Sequence, residues 1–496
     1  MKKILITALS LSLFISSCSS DFLEIPSETS LSTATFYKTE KDLQQAVNAA
    51  YAPLRNLYNN TPGVNNSGAW LMGEMRSDNT RYIFNASYRA VIDQEAISDF
   101  TNQPANSIST AKYTTNYQII ARANQVLASV DGVDFAEASK NNIKGQAFFL
   151  RALAYFDLVQ YFGKVPMHLT PVTNREEAAL PLSEVDAIYT QIIADASEAA
   201  SLLPKKSAQE AGRATSGAAQ TLLGNVYAVQ KNWPAAETVL KTVIDSGEYS
   251  LLGDYAAAFS ISNKNSSESV FEVQFKEGTE GYAGNFIYEM LPMPMSAEQV
   301  TSITGASGAQ ALTVESFNIP TPEILAAYEA GDLRKDISIA TATLSDGKTY
   351  PYIKKLLQPH TQAGFTGTNW PVYRYSEVLL LYAEALNEQG KSVSNYLNDV
   401  RNRAGLGDSP AVGQANLRTA ILAERRVELA FENKRWLDLV RTGNAESVMA
   451  AYGARVKANP ANYYFPAGVA PAPAAFGTIS LLFPLPASES LLSPYF

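Results

Sequence analysis

The most constraining feature of the sequence is a pair of apolar runs with helical spacing, separated by a short polar turn, in residues 217–249. The first run contains the motif Leu-Gly-x-x-Tyr, which begins at Leu223, and the second contains Ala-x-x-x-Leu, which begins at Ala236. Small residues at such positions let two paired helices approach closely. The pattern predicts a helix–turn–helix unit similar to a tetratricopeptide repeat.

A second pair of runs with this spacing covers residues 376–405 and includes Ala383 and Ala385 in its first helix. Stacked helix pairs need neighbours to bury their apolar faces, so degenerate repeats are the better interpretation. We therefore predict a mostly α-helical protein. The same spacing predicts further helices at 42–58, 119–130, 142–163, 187–203 and 422–443.

Two stretches have a different composition. Residues 253–320 mix short β-type runs, such as 269–275, with segments rich in Gly, Ser and Asn, and residues 457–477 have the composition of a loop. Long loops on a rigid scaffold are where function is usually carried. We expect an irregular, loop-rich region with a few short strands, supported by the helices.

Charge and the scarcity of metal ligands exclude several classes of function. The 496 residues include 39 basic and 48 acidic side chains. The net charge of −9 therefore gives no excess of positive charge for binding nucleic acid. One cysteine permits no internal disulfide, and two histidines, His168 and His360, leave few ligands for zinc or copper. Phosphate-binding glycine loops, HExxH and GxSxG are absent from the sequence. We predict no cofactor and no metal site.

The only cysteine, Cys18, follows the most apolar run of the chain. Residues 1–17 contain two lysines, an apolar segment too short to span a bilayer, and small residues, which is the layout of a secretory signal peptide. Ile15-Ser16-Ser17-Cys18 resembles a bacterial lipobox, whose cysteine becomes the first mature residue and carries lipid. The alternative is an ordinary signal peptide that is cleaved elsewhere and leaves a free thiol. We predict lipidation of Cys18.

Glutamates on one face of the 376–388 helix are the best candidates for a catalytic pair. Glu377, Glu384 and Glu388 share this face and could supply an acid and a base. Glutamates on a repeat helix more often pair with arginines, and no other feature fixes two carboxyl groups across a cleft. The pairing interpretation is therefore favoured.

The densest charge cluster lies in residues 422–443, where Leu422, Leu429, Trp436 and Val440 share one helical face. Acidic and basic side chains elsewhere on this predicted helix have separations that permit salt bridges. An arginine can also hold a carboxylate on another helix through two hydrogen bonds. We predict an interhelical ionic network that includes Glu377, Glu384, Arg425, Arg426, Glu428 and Arg435.

Taken in order, these segments resemble the SusD/RagB family of surface lipoproteins from Bacteroidetes. The resemblance rests on Cys18 with residues 21–51 after it, on the repeat near Leu223, and on the blocks RALAYFDLVQYFGKVP, YRYSEVLLLYAEALNEQG, LRTAILAERRVELAFENKRWLDLVRTG and LLFPLPASESLLSPYF. It covers nearly the whole chain. The last block departs from the family pattern at Leu485, where a β-branched residue is common.

The resemblance implies about four tetratricopeptide-like helix pairs that support the loop-rich region. It implies a protein anchored by lipid in the outer membrane, facing the cell exterior, that binds oligosaccharides or peptides and delivers them to a SusC/RagA-type TonB-dependent transporter. Catalysis is not expected. The expected division is a signal peptide at 1–17, a lipidated tether at 18–22, an N-terminal SusD-like region at 23–212 and a C-terminal RagB/SusD region at 213–496.

Two other classes of function stay open at this point. One is a surface glycan hydrolase or lyase on an all-helical scaffold that uses the glutamates described above. The other is a structural adaptor that joins membrane proteins without binding a ligand.

The resemblance also indicates where a ligand would bind, namely on loops that include 67–88. There, aromatic rings suit the C–H face of a sugar and polar groups suit its hydroxyls. Residues 276–289 are a second candidate, although each aromatic side chain could simply pack within its loop. The candidate ligand contacts are Trp70, Asp78, Asn79, Arg81, Tyr82, Tyr282, Asn285 and Tyr288.

Overall fold

A computed structural model describes residues 36–59, 68, 71–86, 92–313 and 316–495. Cys18, the predicted signal peptide and the tether lie outside the described residues, and so does Trp70. None of the helices in the described residues combines the length and the hydrophobicity that a transmembrane span requires.

The N-terminal half is a series of helices whose ends follow from local sequence. Thr39 caps the first helix: its side chain accepts a hydrogen bond from the backbone of Asp42, and the Asp42 carboxylate accepts one from the backbone of Thr39. Asn106 caps the third helix by accepting from two backbone N–H groups. The helices are α1 (Glu40–Leu57), α2 (Ile92–Asp99), α3 (Ser107–Ser129), α4 (Glu137–Phe162), α5 (Arg175–Ala178), α6 (Val185–Leu202), α7 (Ser216–Val229) and α8 (Trp233–Asp245).

The C-terminal half alternates short helices with irregular segments before a second group of longer helices. Its helices are α9 (Phe286–Glu289), α10 (Ala297–Thr304), α11 (Pro322–Ala327), α12 (Arg334–Ser338), α13 (Tyr375–Glu388), α14 (Ser394–Arg403), α15 (Gln414–Glu428), α16 (Arg435–Arg441), α17 (Ala445–Ala458) and α18 (Ala487–Leu492).

Within the described residues, the strands form three two-stranded antiparallel sheets: β1 with β3, β2 with β6, and β4 with β5. In the second sheet Phe271 pairs with Tyr373, and so a strand between α8 and α9 is joined to the strand that leads into α13. The strands are β1 (Thr80–Arg81), β2 (Ser269–Val273), β3 (Ile319–Pro320), β4 (Ile339–Thr343), β5 (Thr349–Ile353) and β6 (Trp370–Arg374).

The longer helices stack in a row in which α1, α3, α4, α6, α7, α8, α13 and α15 each pack against the next. Gly224 shows why small residues recur here, because a Cβ atom at this position would lie 2.5 Å from Leu240 Cδ2 on the paired helix. The prediction of a mostly helical protein with tetratricopeptide-like pairs is confirmed. This row positions the loops between α8 and α13 and those after α17.

The predicted helix at 422–443 is wrong in its continuity, because α15 ends at Glu428 and α16 begins at Arg435. The predicted helix is interrupted where the buried ammonium of Lys355 binds the backbone. Lys355 Nζ donates to the carbonyl oxygens of Glu428 and Ala430 at 3.0 and 2.9 Å. Asn433, in the connection, has a left-handed φ of 64°. Two separate helices therefore replace the single amphipathic helix.

Candidate functional site

Three loop segments and one hairpin meet at a cleft of about 300 Å³. The segments are the stretch after β1, the stretch between α9 and β3, and the loop after α17, and the hairpin is β4–β5. We name this feature the loop cleft. It is lined by residues 83–86, Met293, Pro294, Thr313, Asp346, Lys348, Tyr350, Ala461 and 464–466.

One wall of the loop cleft is aromatic. The ring of Phe84 stacks on that of Phe465, with centroids 5.4 Å apart and planes inclined by 26°. Phe465 is 2% exposed and lies behind Phe84, whereas Phe84 and Tyr464 are half-buried and line the cleft. The backbone N–H of Phe84 donates to the carbonyl oxygen of Tyr464 at 3.2 Å, which joins the two loops.

The other wall carries polar groups on the β4–β5 hairpin. Asp346 is exposed, and its Oδ2 accepts a hydrogen bond of 2.6 Å from the hydroxyl of Tyr350. Partial burial acts to raise the pKa of Asp346, but hydrogen bonds from Tyr350 and from the backbone of Lys348 outweigh it and lower that pKa. Asp346 is therefore an ionised acceptor in the same cleft as the aromatic wall.

Four of the predicted ligand contacts do not line this cleft and are at most 3% exposed: Asp78, Asn79, Arg81 and Tyr82. Asp78 accepts from Arg435 Nε at 2.9 Å and lies 2.9 Å from Arg426 Nη2. This placement argues against direct ligand contact by the four side chains. Their polar groups are instead used to bind the loop to the helices beneath it.

Arg81 and Tyr82 share one buried acceptor. Arg81 Nη2 lies 2.7 Å from Asp99 Oδ1, and the hydroxyl of Tyr82 donates to Asp99 Oδ2 at 2.8 Å. The Tyr82 ring also meets the Phe465 ring edge-on, with centroids 5.9 Å apart. These two predicted contacts therefore support the aromatic wall from behind.

The second predicted segment, residues 276–289, lies partly at the surface. Tyr282 is 47% exposed, and the guanidinium of Arg55 lies over its ring at 5.0 Å. Asn285 is half-buried, and its backbone N–H donates to Asn59 Oδ1 at 2.7 Å. Tyr288 is half-buried, and its hydroxyl is hydrogen-bonded to the ring of His360. Tyr282 is thus the predicted residue with the greatest exposure among those described.

Sequence comparison assigns both ends of the chain to one family. A model described as "SusD family" matches residues 329–494, and a SusD-like model described as "Starch-binding associating with outer membrane" matches residues 21–228. The chain belongs to the SusD/RagB family. A curated relative, SusD-like protein P25 of Formosa agariphila, is 28% identical over 85% of this chain and 86% of its own length.

Solved structures of SusD-like proteins share this fold. A laminarin-binding SusD-like protein is 28% identical, with a TM-score of 0.73 over 92% of this chain and 98% of its own. A SusD superfamily protein from Bacteroides vulgatus is 25% identical, with a TM-score of 0.73 over 93% of this chain and 98% of its own. The helical row and its loops are therefore the architecture of the SusD/RagB family.

Several residues of the loop cleft in this SusD/RagB protein were not among the predicted ligand contacts. Asp346 precedes Gly347, and an Asp-Gly pair between two β-type runs is a hairpin signal that could have indicated the polar wall. Tyr464 and Phe465 lie within the predicted loop at 457–477. Nothing in the sequence pairs them with Phe84, which is far away along the chain.

The six side chains of the expected ionic network all take part in ion pairs. Arg425 Nη2 lies 3.3 Å from Glu377 Oε1, and Glu384 Oε1 lies 2.6 Å from Arg441 Nη1. Glu428 is fully buried, and three arginines, Arg334, Arg374 and Arg403, lie 2.6–3.0 Å from its carboxylate oxygens. The remaining two, Arg426 and Arg435, hold Asp78.

These pairs bear on the three glutamates that could have served as an acid and a base. Glu388 lies 2.6 Å from Arg418 Nε. Glu377 is 1% exposed and Glu384 is 4% exposed, and both are held by arginines. Both carboxylates are therefore buried against arginines and lie out of reach of a polymer at the surface. Within the described residues, no group of His, Cys, Asp and Glu side chains could hold a metal ion.

Proposed function

We propose that this SusD/RagB protein binds oligosaccharides in the loop cleft at the cell surface and delivers them to a SusC/RagA-type TonB-dependent transporter. The observation that carries the proposal is the pairing of a half-buried aromatic wall at Phe84 and Tyr464 with the ionised carboxylate of Asp346. Binding, and not catalysis, is the proposed activity.

The two walls match the two kinds of surface that a sugar presents. The C–H face of a pyranose is apolar and packs on an aromatic ring, while its hydroxyls need acceptors and donors at the edge. Asp346 and the amide of Asn85 supply such groups, and Asn85 Nδ2 donates to the carbonyl oxygen of Thr313 at 2.9 Å. A cavity of about 300 Å³ is at the lower end of ligand pockets, which suits a short stretch of a chain.

The relatives support carbohydrate as the ligand class. The SusD-like structure that is 28% identical binds laminarin, and one of the two matching family models is described as starch-binding and associating with the outer membrane. Neither identifies the glycan for this chain. Peptides, which the family resemblance also allows, are a competing ligand class in the experiment below.

The proposed location rests on the N-terminal sequence. The lipobox at Cys18 would attach the chain to the outer membrane, and no membrane-spanning helix occurs in the described residues. Several acyl chains hold a protein durably at a bilayer, because each buried CH₂ contributes about 0.8 kcal/mol. The proposed transporter partner follows from the family resemblance.

The decisive experiment titrates the mature chain, made soluble by Cys18→Ser, with laminarin, starch and mucin-type oligosaccharides and with a peptide pool. We expect one glycan class to bind and Asp346→Asn to weaken that binding at least tenfold, because a hydrogen bond to a charged group contributes about 1.5–3 kcal/mol. Asp186→Asn, at an exposed position on α6, is the matched control. Peptide binding, or unchanged affinity in Asp346→Asn, would contradict the proposal.

Delivery needs a separate test in the native organism. Deletion of the gene should abolish growth on the bound glycan while leaving growth on its monosaccharide unchanged. Unchanged uptake of the intact oligosaccharide would show that the protein has no role in delivery.

A further inference from the structure

A second groove, distinct from the loop cleft, lies between α1 and β2 and has a volume of about 290 Å³. We name it the α1–β2 groove. Its walls are formed by Asn48, Tyr51 and Arg55 on α1, the loop 210–213, and residues 272–274.

Arg55 differs from the other charged residues of this groove. Arg213 Nε donates to Glu210 at 2.5 Å, and Arg213 Nη1 donates to Gln146 at 3.1 Å. Glu272 is 7% exposed, and its carboxylate accepts from the backbone N–H of Asn265. Arg55 has no ion pair with a carboxylate in the part of the chain that the structure describes. Of the two arginines that line the groove, Arg213 is paired with a carboxylate and Arg55 is not, among the described residues.

The guanidinium of Arg55 is held in place by an aromatic ring. Arg55 is half-buried and lines the groove, and its guanidinium carbon lies 5.0 Å from the centre of the Tyr282 ring. Burial lowers the pKa of Arg55, but an arginine remains charged in any protein environment. A guanidinium that is already stacked on a ring loses less conformational entropy when it binds a ligand. It is therefore preorganised for a planar anion that accepts two hydrogen bonds.

The loop that carries Tyr282 is fixed at both ends. The backbone N–H of Lys276 donates to the carbonyl oxygen of Tyr282 at 2.9 Å, and Asn59, just beyond α1, bonds Ala283 and Asn285. Lys276 lies 2.6 Å from Glu280, which offsets both of their charges. The closed loop therefore holds Tyr282 at the surface. The Lys276–Glu280 pair adds no net charge beside it.

We propose that the α1–β2 groove is a second glycan subsite and that Arg55, stacked on Tyr282, binds an oxyanion carried by a sugar, either the carboxylate of a uronic acid or a sulfate ester. Carboxylate and sulfate share the geometry that an arginine fork recognises through two parallel hydrogen bonds. The exposed ring of Tyr282 supplies an apolar surface on which the sugar that carries the anion can pack. The inference rests on the proposed function, because it assumes that the chain binds glycans.

The test compares matched acidic and neutral ligands on the mature Cys18→Ser chain. One pair is a galacturonate tetrasaccharide and its methyl ester, and the other is a sulfated galactan tetrasaccharide and its desulfated form. We expect the chain to prefer the acidic member of at least one pair, and Arg55→Gln to remove that preference by weakening binding about 10- to 100-fold. The two pairs distinguish carboxylate from sulfate.

The matched control is Arg175→Gln, which removes an exposed arginine on α5 and changes the net charge equally. It should leave both preferences unchanged. Tyr282→Ala, beside the groove, is the second variant and should also weaken binding of the acidic ligand, since it removes the ring that holds the guanidinium of Arg55. Circular dichroism and thermal melting identify any variant that fails to fold, in which case the other groove variant decides.

A neutral laminarin hexasaccharide separates this inference from the proposed function. If Asp346→Asn weakens laminarin binding while Arg55→Gln and Tyr282→Ala leave the acidic ligands unaffected, the proposed function stands and the second subsite is wrong. If the wild-type chain does not discriminate within either pair, the second subsite is likewise wrong. If the wild-type chain binds none of these glycans and also neither starch nor mucin-type oligosaccharides, both proposals fail.

Discussion

The guanidinium of Arg81 lies 5.0 Å from the centre of the Phe465 ring, so that a fully buried cation supports the aromatic wall of the loop cleft. Phe465 in turn stacks on Phe84, which is half-buried and lines the cleft. Cation, buried ring and accessible ring form three successive layers. This order separates the residues that maintain the cleft from the residue that a ligand can touch.

We expect Phe84→Ala and Tyr82→Ala to have opposite effects on binding and stability. Phe84→Ala should weaken glycan binding by about 1–3 kcal/mol, the magnitude measured for aromatic stacking on nucleic-acid bases, with little change in melting temperature. Tyr82→Ala should lower the free energy of unfolding by about 3–5 kcal/mol, because it removes a buried ring that packs on Phe465. Titration calorimetry and denaturant unfolding measure the two effects.

Tyr82→Phe is the matched control for that comparison. It keeps the ring and removes only the hydroxyl that donates to Asp99. Its loss of stability should therefore be smaller than that of Tyr82→Ala. A Tyr82→Ala variant that is fully stable but unable to bind glycan would restore Tyr82 as a ligand contact.

Asp78 binds the loop that follows α1 to the C-terminal helices, and its neutralisation should destabilise the fold. Burial acts to raise the pKa of Asp78, but Arg426 and Arg435 outweigh it and lower that pKa. Asp78→Asn or Arg426→Ala would leave buried charge without its partner. We expect a loss of about 3–5 kcal/mol in the free energy of unfolding, with unchanged ligand preference in the folded protein.

Two further measurements sharpen that prediction. Lys241→Ala disrupts an exposed pair with Asp245 at 2.6 Å, and it should change stability very little because solvent screens such a pair. Because the pKa of Asp78 is lowered in the folded state, its contribution is present above the usual pKa of 3.8 and is lost as the pH falls below it. Equal destabilisation by Lys241→Ala and Asp78→Asn would contradict a special role for the buried pair.

The helices could be predicted from the sequence because each one repeats the same short-range spacing. The predicted helix at 142–163 is observed as Glu137–Phe162, and it ends before Gly163 as expected. The break between α15 and α16 could not be predicted in this way. It depends on Lys355, which comes from a segment between β5 and β6 and takes the carbonyl oxygens that a continuous helix would use.

The loop cleft was less predictable than the helices. Residues 67–88 were chosen for their aromatic and polar side chains, but composition does not say which of them face inward. Arg81 and Asp78 are as polar as any ligand contact, but both are paired inside the protein. Arg81 binds Asp99, and Asp78 binds Arg435 from a distant segment. Phe84 meets Phe465 only after the whole chain has folded, and no local pattern encodes that pairing.

Glu74 should make stability depend on pH. It is fully buried, and burial raises its pKa from 4.5 to about 7 despite hydrogen bonds from Asn79 and from the backbone of Phe431. The folded chain keeps this proton up to about pH 7, whereas the unfolded chain releases it near pH 4.5. The contribution of Glu74 to stability therefore falls as the pH rises between these values, by about 3 kcal/mol in all.

Glu74→Gln removes that titration while keeping an oxygen for Asn79 and Phe431. Relative to the wild type, the variant should be of similar stability near pH 4.5 and should gain stability progressively up to about pH 7. Urea unfolding at several pH values measures this difference, and Glu446→Gln, at an exposed position on α17, is the control. Stability curves of wild type and Glu74→Gln that run parallel across this range would contradict the prediction.

Cys18 lies outside the described residues, and its predicted role in anchoring can be tested independently of the fold. Cys18→Ala should abolish incorporation of labelled palmitate and move the protein from the detergent phase to the aqueous phase, because no acyl chain remains to enter the bilayer. Ser20→Ala, two residues later, is the control and should stay in the detergent phase. Helix content and melting temperature should be unchanged in both. A Cys18→Ala chain that is still palmitoylated and membrane-bound would show that the anchor lies elsewhere.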